Sequence, residues 1–288
     1  MSFLRRWPYI KQDLYDRFVC AEHKVASGPS RLASDARRVT VAIPHYNRGA
    51  LIHQALHNVL KDERVSEIII VDDGSKPGHY EGLRQCVNRL DRTGKVQIHR
   101  REENRGAMWT KMECVEKSSN PWVVLLDADN TLFRSYLDEI FALPAWDART
   151  IYSPSRAFPH FDFRELAGRT IDFDAACDLS RTGVLRRVYI INDGNYFLNR
   201  ASYLETLATL RDIRHDVADV MVVNYLWLSQ GKSLYMMPGA VYCHRLSSSS
   251  FWSRTASSSR DRVLALFDRF DKGLRWDDEV AAALQSRY

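Results

Sequence analysis

Short apolar runs alternate with stretches of helical periodicity through the first half of this chain. The runs are rich in β-branched residues and too short for helices, and they predict four strands, at 39–43, 67–71, 96–98 and 123–126. Between them, apolar residues recur every three or four positions and predict three helices, at 51–60, 79–90 and 107–117. Strands that alternate with helices favour a mainly parallel sheet with helices on both faces. We therefore predict an α/β fold.

Polar loops follow three of these predicted strands, at 44–48, 72–75 and 127–130. In a parallel sheet such loops lie along one edge, where open α/β sheets bind their ligands. The third loop places Asp127 and Asp129 two residues apart. Two carboxylates at a strand end suit Mg²⁺ or Mn²⁺, particularly when a diphosphate supplies further oxygens. The alternative is a polar turn in which Asp129 caps the next helix.

The ends of the chain have different patterns. Residues 3–22 show a helical apolar stripe with basic residues among it, and a loop follows to residue 38. We favour a helix packed on the main domain or on a partner subunit, and the alternative is a helix on a membrane interface. Near the other end, a serine-rich run at 247–254 is either a lid or a linker to a last helix at 260–271.

Composition narrows the class of protein. Hydrophobic residues make up 45% and charged residues 27%, as in ordinary globular proteins. The five cysteines form no CxxC pair, which argues against a disulfide framework or zinc site and for a reducing compartment. No run approaches the roughly 20 apolar residues of a membrane span. A net charge of +5 fits an anionic ligand or a membrane surface. We expect a cytoplasmic protein, with residues 3–22 as the candidate peripheral membrane contact, and no nucleic-acid partner.

Four short motifs in a fixed order give a more specific prediction. They are Val41–Asn47 (VAIPHYN), Val71–Ser75 (VDDGS), Glu103–Ala107 (ENRGA) and Leu126–Asp129 (LDAD). With these motifs on its predicted strand ends, the segment 39–130 resembles the nucleotide-sugar-binding half of the family 2 glycosyltransferases, which have the GT-A fold. The resemblance divides the chain into four parts: an extension at 1–38, the donor half at 39–130, an acceptor half at 131–246, and a loop and helix at 247–288.

The resemblance implies a set of donor contacts. They fall on Pro44, Tyr46, Asn47, Asp73, Asn104, Gly106, Lys111 and Asp127. In the family pattern Tyr46 stacks on the nucleotide base, and Asp73 accepts a hydrogen bond from a base N–H. Lys111 stands where the family usually has arginine, so its contact with the diphosphate is that of a point charge.

The resemblance also implies a metal site and a catalytic base. It makes Asp129 the direct ligand of Mn²⁺ or Mg²⁺, with Asp127 and, after a strand at 234–243, His244 completing the shell. An imidazole ligand suits Mn²⁺ better than Mg²⁺. The general base falls on Asp219, with Asp216 as the alternative, because one inserted residue and Ala218 disturb the family's acidic pair.

The function implied is inverting transfer of one sugar, most readily from a UDP-sugar, to a hydroxyl of a glycan or other acceptor in cell-surface glycan synthesis. Two alternatives are open, and so is the oligomeric state. A sugar-phosphate nucleotidyltransferase should have a glycine-rich loop where Ile43–Asn47 stands. A non-catalytic nucleotide-sugar binder would keep its biological activity after replacement of Asp129 or Asp219.

Overall fold

The computed structural model describes residues 36–159, 161–181, 194–210, 219–245, 265–266 and 268–280. Several predicted features lie outside these described residues. They are the helix at 3–22, the alternative base Asp216 and the serine-rich run at 247–254.

Ten strands and seven α-helices lie wholly within the described residues, and residues 265–266, 268–271 and 278–280 are also helical. The strands are β1 (Val39–His45), β2 (Val65–Asp72), β3 (Val96–Arg100), β4 (Trp122–Leu125), β5 (Thr131–Leu132), β6 (Thr150–Phe158), β7 (Phe161–Asp162), β8 (Thr170–Ile171), β9 (Phe197–Asn199) and β10 (Ser233–Cys243). The helices are α1 (Ile52–Lys61), α2 (Pro77–Leu90), α3 (Ala107–Lys117), α4 (Arg134–Ala142), α5 (Phe173–Arg181), α6 (Arg200–Ala208) and α7 (Asp219–Ser229). The strands and helices predicted in the first half are all present, with ends shifted by a few residues.

All ten strands belong to one sheet, in the order β3-β2-β1-β4-β9-β6-β10-β5, with β7 paired to β6 and β8 to β10. Strands β3, β2, β1 and β4 are parallel to one another. Strand β9 then pairs antiparallel with both β4 and β6, while β6 and β10 are parallel. The predicted α/β fold is confirmed, with parallel strands from β1 to β4 and a mixed arrangement in the rest of the sheet.

Pro44 does not end the pairing of β1, although the predicted strand stops at residue 43. Residue 44 pairs with Val71 and the strand continues to His45. The backbone of Ala42 faces β4, where its carbonyl accepts from Leu126 at 3.0 Å. By alternation the Pro44 nitrogen also points to the β4 side, beyond Ala42, the last residue of β1 in register with β4. A missing N–H therefore breaks no ladder hydrogen bond there.

Two apolar cores cover the two faces of the sheet. Residues of α1, α2 and α4 pack on one face, and residues of α3, α5, α6 and α7 pack on the other. Every residue of α7 from Val220 to Leu228 is buried. This explains why the sequence of α7 is apolar on all sides: it is a core helix rather than an amphipathic one. No helix in the described ranges combines the length and apolar character needed to cross a bilayer.

Candidate functional site

The carboxyl ends of β1, β2 and β4 bring the predicted donor residues to one edge of the sheet. After β2, Asp73 is 2% exposed and accepts three hydrogen bonds, two from the start of α3 and one from Arg101. Its Oδ1 accepts from the Arg105 N–H and from Arg101 Nη1, both at 2.9 Å, and its Oδ2 accepts from the Gly106 N–H at 2.9 Å. Asp73 thus fixes the 105–106 turn against β2. Its predicted contact with a base N–H stays a prediction.

Gly106 begins α3 with φ of 93°, a backbone conformation that glycine adopts freely. Gly74, with φ of 69°, packs on the same turn from the β2 side. A Cβ at residue 74 would lie 2.8 Å from the carbonyl carbon of Glu103 and 2.9 Å from the nitrogen of Asn104. These are backbone atoms, so neither can rotate away. The loops after β2 and β3 are therefore in direct contact through glycine.

We expect Gly74→Ala to destabilise the protein by about 3 kcal/mol, since left-handed backbone strain and overpacking add. Gly94→Ala is the matched control, because residue 94 has φ of 71° but, within the described residues, nothing lies within 4 Å of its added Cβ. The control should lose only about 1 kcal/mol. Urea unfolding of both variants measures the difference, and equal losses would contradict the close contact at residue 74.

A buried hydrogen bond between His45 and Asp72 supports the loop that carries Tyr46. His45 Nδ1 lies 2.7 Å from Asp72 Oδ1, and both side chains are fully buried. The Asn47 N–H donates to Ser75 Oγ at 2.8 Å, and the Lys76 N–H donates to Asn47 Oδ1 at 2.9 Å. These bonds join the loops after β1 and β2, while the Tyr46 side chain beside them is 38% exposed. An exposed ring on a fixed loop can stack on a base.

The Asp72 carboxylate makes this support sensitive to acid. Burial raises the pKa of Asp72, but hydrogen bonds from His45 and Ser75 outweigh it, and the net pKa is lowered. A lowered carboxyl pKa stabilises the fold above its ordinary value of about 3.9, and this contribution is lost as the pH falls further. We expect Asp72→Asn to cost about 2 kcal/mol at pH 7. The difference from wild type should shrink below pH 4 in urea titrations, and a deficit independent of pH would contradict the assignment.

Lys111 lies between the loop after β4 and the start of α7. It projects from α3, is 7% exposed, and places Nζ 2.8 Å from Asp219 Oδ2 and 3.6 Å from Asp127 Oδ1. Burial lowers the pKa of Lys111, and the two carboxylates outweigh it and raise the pKa overall. The ammonium therefore stays charged between Asp127 and Asp219. Asp127 is the first residue of the D-x-D motif formed by Asp127 and Asp129, and Asp219 is the first residue of α7.

Asn195, just before β9, holds Asp127 from the other side. Its Oδ1 accepts from the Asp127 N–H at 2.8 Å, and its Nδ2 donates to Asp127 Oδ2 at 3.1 Å. Asn130 Nδ2 donates to Asn195 Oδ1 at 3.2 Å, and the Tyr136 hydroxyl donates to the Asn195 carbonyl at 2.7 Å. The backbone and the side chain of Asp127 are thereby fixed by one buried amide.

The second carboxylate of the D-x-D motif is paired with an arginine. Asp129 Oδ2 accepts from Arg48 Nε at 2.9 Å, and the two side chains are only 16% and 18% exposed. Burial raises the pKa of Asp129, and the nearby charge of Asp127 raises it further. Arg48 lowers it by a smaller amount, so the net pKa is raised. Asp127 and Asp129 are thus within electrostatic reach of each other.

His244 lies directly after β10, close in the fold to the D-x-D loop. Its neighbour Arg245 donates its N–H to Asn130 Oδ1 at 3.0 Å, and Cys243 pairs with Thr131. The imidazole stacks on the Phe161 ring with centroids 5.3 Å apart. The three predicted metal ligands are not gathered into one cluster: in the described part of the chain, no group of three or more His, Cys, Asp or Glu side chains is arranged to hold a metal ion.

Asp127 and Asp129 fit a metal site in which the protein supplies some of the ligands and a bound small molecule supplies the others. Asp127 and Asp129 supply carboxylate oxygens within electrostatic reach of each other, and a diphosphate can supply the remainder. A hard divalent cation suits these ligands.

Sequence reasoning missed Arg48, Asn130 and Asn195 as site residues. Arg48 directly follows the first motif, and Asn130 directly follows the last one. Asn195 lies in none of the four motifs. Their position next to the motifs could have indicated Arg48 and Asn130 as site residues. The role of Asn195 depends on β9 lying beside β4.

The chain matches the family described as "Glycosyl transferase family 2" over residues 40–207, more than half of its length. Among curated proteins it is similar to the succinoglycan biosynthesis protein ExoU of Rhizobium meliloti (strain 1021), with 28% identity over 109 residues, 38% of this chain and 31% of that protein. The putative teichuronic acid biosynthesis glycosyltransferase TuaG of Bacillus subtilis (strain 168) is 31% identical over 102 residues, 35% of this chain and 39% of that protein. The matched region thus spans less than two fifths of either relative.

Solved structures share the fold at low sequence identity. The mannosyltransferase PcManGT from Pyrobaculum calidifontis, in complex with GDP-Man and Mn²⁺, has a TM-score of 0.60 and 17% identity, covering 94% of this chain and 76% of that one. A structure of S. aureus TarS with UDP has a TM-score of 0.51 and 13% identity, covering 81% of this chain and 69% of that one. These similarities establish a GT-A type of fold.

Proposed function

The chain belongs to glycosyl transferase family 2, and on that premise we propose that it is an inverting glycosyltransferase that moves one sugar from a nucleotide sugar to an acceptor hydroxyl. The donor we propose is a UDP-sugar. Asp219 is the general base, and Asp127, Asp129 and Lys111 face the diphosphate.

The observation that carries this proposal is the position of Lys111. One buried ammonium lies 2.8 Å from the proposed base and 3.6 Å from the D-x-D carboxylate, which come from opposite halves of the chain. A transferase needs the base and the leaving group on either side of one reacting carbon. A binding module would have no need of a carboxylate from α7 at this place.

The reaction is a single displacement. Asp219 accepts the proton of the acceptor hydroxyl as its oxygen attacks the anomeric carbon. The bond from that carbon to the phosphate oxygen breaks, and the nucleoside diphosphate leaves with the bonding electrons. Because there is one displacement, the anomeric configuration inverts.

Residues of this chain have separate tasks in that step. Lys111 pairs with Asp219 before the acceptor arrives, and its ammonium is placed to turn toward the diphosphate as negative charge develops there. Asn195 and Asn130 hold the D-x-D loop. A divalent cation held by Asp129, with Asp127 and His244, would neutralise charge on the leaving diphosphate.

The names of the two curated relatives support a biological setting. ExoU is described as a succinoglycan biosynthesis protein and TuaG as a putative teichuronic acid biosynthesis glycosyltransferase. Both names refer to bacterial surface polysaccharides. We infer that this protein also extends a cell-surface glycan, with a saccharide hydroxyl as its acceptor.

A thermal-shift screen tests the donor class. UDP, GDP, dTDP and their sugars are compared with and without Mn²⁺, and a ligand at 100 times its Kd should stabilise the fold by about 2.7 kcal/mol. We expect UDP and one or more UDP-sugars to raise Tm by about 5 °C, and mainly with Mn²⁺ present. A shift confined to GDP or dTDP would overturn the UDP assignment, and no shift with any nucleotide would overturn the proposal.

A further inference from the structure

Arg48 forms an ion pair with Asp129, although it lies outside the four sequence motifs. Its Nε donates to Asp129 Oδ2 at 2.9 Å, although the two residues are 81 positions apart. Both side chains are mostly buried. The pair is therefore a built contact of the fold rather than a solvated surface ion pair.

The backbone of Arg48 is fixed while its side chain reaches across the edge of the sheet. The Arg48 carbonyl accepts from the Leu51 N–H at 2.8 Å and from the Ile52 N–H at 3.2 Å, so the turn before α1 anchors it. Asn47, directly before it, is tied to Ser75 and Lys76. Any change in the contact with Asp129 must therefore come from rotation of the Arg48 side chain.

A guanidinium and a divalent cation compete for the same carboxylate. A cation bound to Asp129 would place two positive charges beside the +1 charge of Arg48 in a site that is largely shielded from water, where such repulsion is strong. The displaced guanidinium would lose its contact with Asp129. A diphosphate offers it a new anionic contact, because arginine binds phosphate oxygens through two parallel N–H bonds.

We propose that Arg48 is the counter-ion that occupies Asp129 in the donor-free enzyme, and that it passes to the donor's diphosphate when a divalent cation takes its place. The cation and the nucleotide then strengthen each other's binding. This inference rests on the proposed function, since it takes the nucleoside diphosphate and the cation from there. It adds a positioning residue and a binding order that the motifs do not contain.

The same substitution should shift two affinities in opposite directions. Arg48→Gln removes the competing guanidinium from Asp129, so Mn²⁺ should bind the nucleotide-free variant about tenfold more tightly than wild type. UDP should bind the variant about tenfold more weakly in the presence of Mn²⁺, because the diphosphate loses the guanidinium. In a purely structural ion pair, both affinities would stay unchanged or fall together with stability.

Free Mn²⁺ is measured by its electron paramagnetic resonance signal during titration of each variant, with and without UDP. Arg84→Gln is the matched control, because it removes the same charge from an exposed position on α2. Arg48→Lys keeps the charge at the site, so its nucleotide-free Mn²⁺ affinity should stay within about threefold of wild type. Thermal melts establish that each variant is folded.

Two results would overturn the inference alone. In the first, UDP strengthens Mn²⁺ binding by wild type, but Arg48→Gln and Arg84→Gln have the same nucleotide-free Mn²⁺ affinity. The other is an equal gain for Arg48→Lys and Arg48→Gln. Wild type that binds Mn²⁺ in neither condition would instead remove the metal from the proposed function, and the inference would fall with it.

Discussion

Asp219→Asn is expected to lower the rate of sugar transfer by about 10²- to 10⁴-fold, the range of general base catalysis. Asparagine has nearly the same shape, and it cannot take the proton from the acceptor hydroxyl. Donor affinity should be retained, because Lys111 still has Asp127 as a charged neighbour at 3.6 Å. Initial rates of UDP release with acceptor, together with UDP affinity by calorimetry, measure the two quantities.

Asp172→Asn is the control for a capping role. Asp172 precedes α5 and accepts from the Ala175 N–H at 2.9 Å, so it is an aspartate at a helix start outside the site. Aspartate and asparagine are comparable at such positions, and we expect neither variant to lose more than about 1 kcal/mol of stability. Only Asp219→Asn should lose transfer. A rate within threefold of wild type would remove Asp219 as the base and direct the search to Asp216.

Lys111→Met is expected to destabilise the protein by about 3 kcal/mol and to abolish most transfer activity. Removing one partner of a buried ionic group leaves the other charges uncompensated. Here two carboxylates, Asp127 and Asp219, would face each other without the ammonium. For a chain of this size the loss corresponds to a fall in Tm of about 6 °C or more.

The deficit of Lys111→Met should depend on pH with a definite sign. Without the ammonium, repulsion raises the folded-state pKa of one carboxyl above its unfolded value. The folded state then binds more protons than the unfolded state, so its stability falls as the pH rises through that raised pKa. The difference from wild type should therefore be largest at pH 7.5 and smaller at pH 5.

Lys232→Met is the matched control for loss of a buried lysine. Lys232 is 6% exposed and donates to Thr206 Oγ1 at 2.7 Å. Its removal should also lower Tm, but kcat and KM should stay near wild type because its contacts lie outside the site. Lys111→Arg should keep both the charge and most of the activity. Equal activity in Lys111→Met and Lys232→Met would refute the bridging role of Lys111.

Local patterns decided how much of the fold could be predicted. The order of strands and helices in 39–130 follows from apolar periodicity, which is a property of a few neighbouring residues. The same holds for the loops at strand ends, because charged side chains are excluded from the dry interior of a sheet. From β6 onward, short strands such as β7, β8 and β9 have two or three residues each, and no periodicity can develop over that length.

The partners of the charged residues could not be predicted in this way. Asp219 is 108 residues from Lys111, Asp129 is 81 from Arg48, and Asn195 is 68 from Asp127. Each pairing depends on which strands lie side by side, above all on β9 and the start of α7 lying against β4 and α3. Sequence by itself thus determined which residue types reach the edge of the sheet. Only the tertiary structure decided which charges neutralise one another there, because ion pairs depend on distance in space and not along the chain.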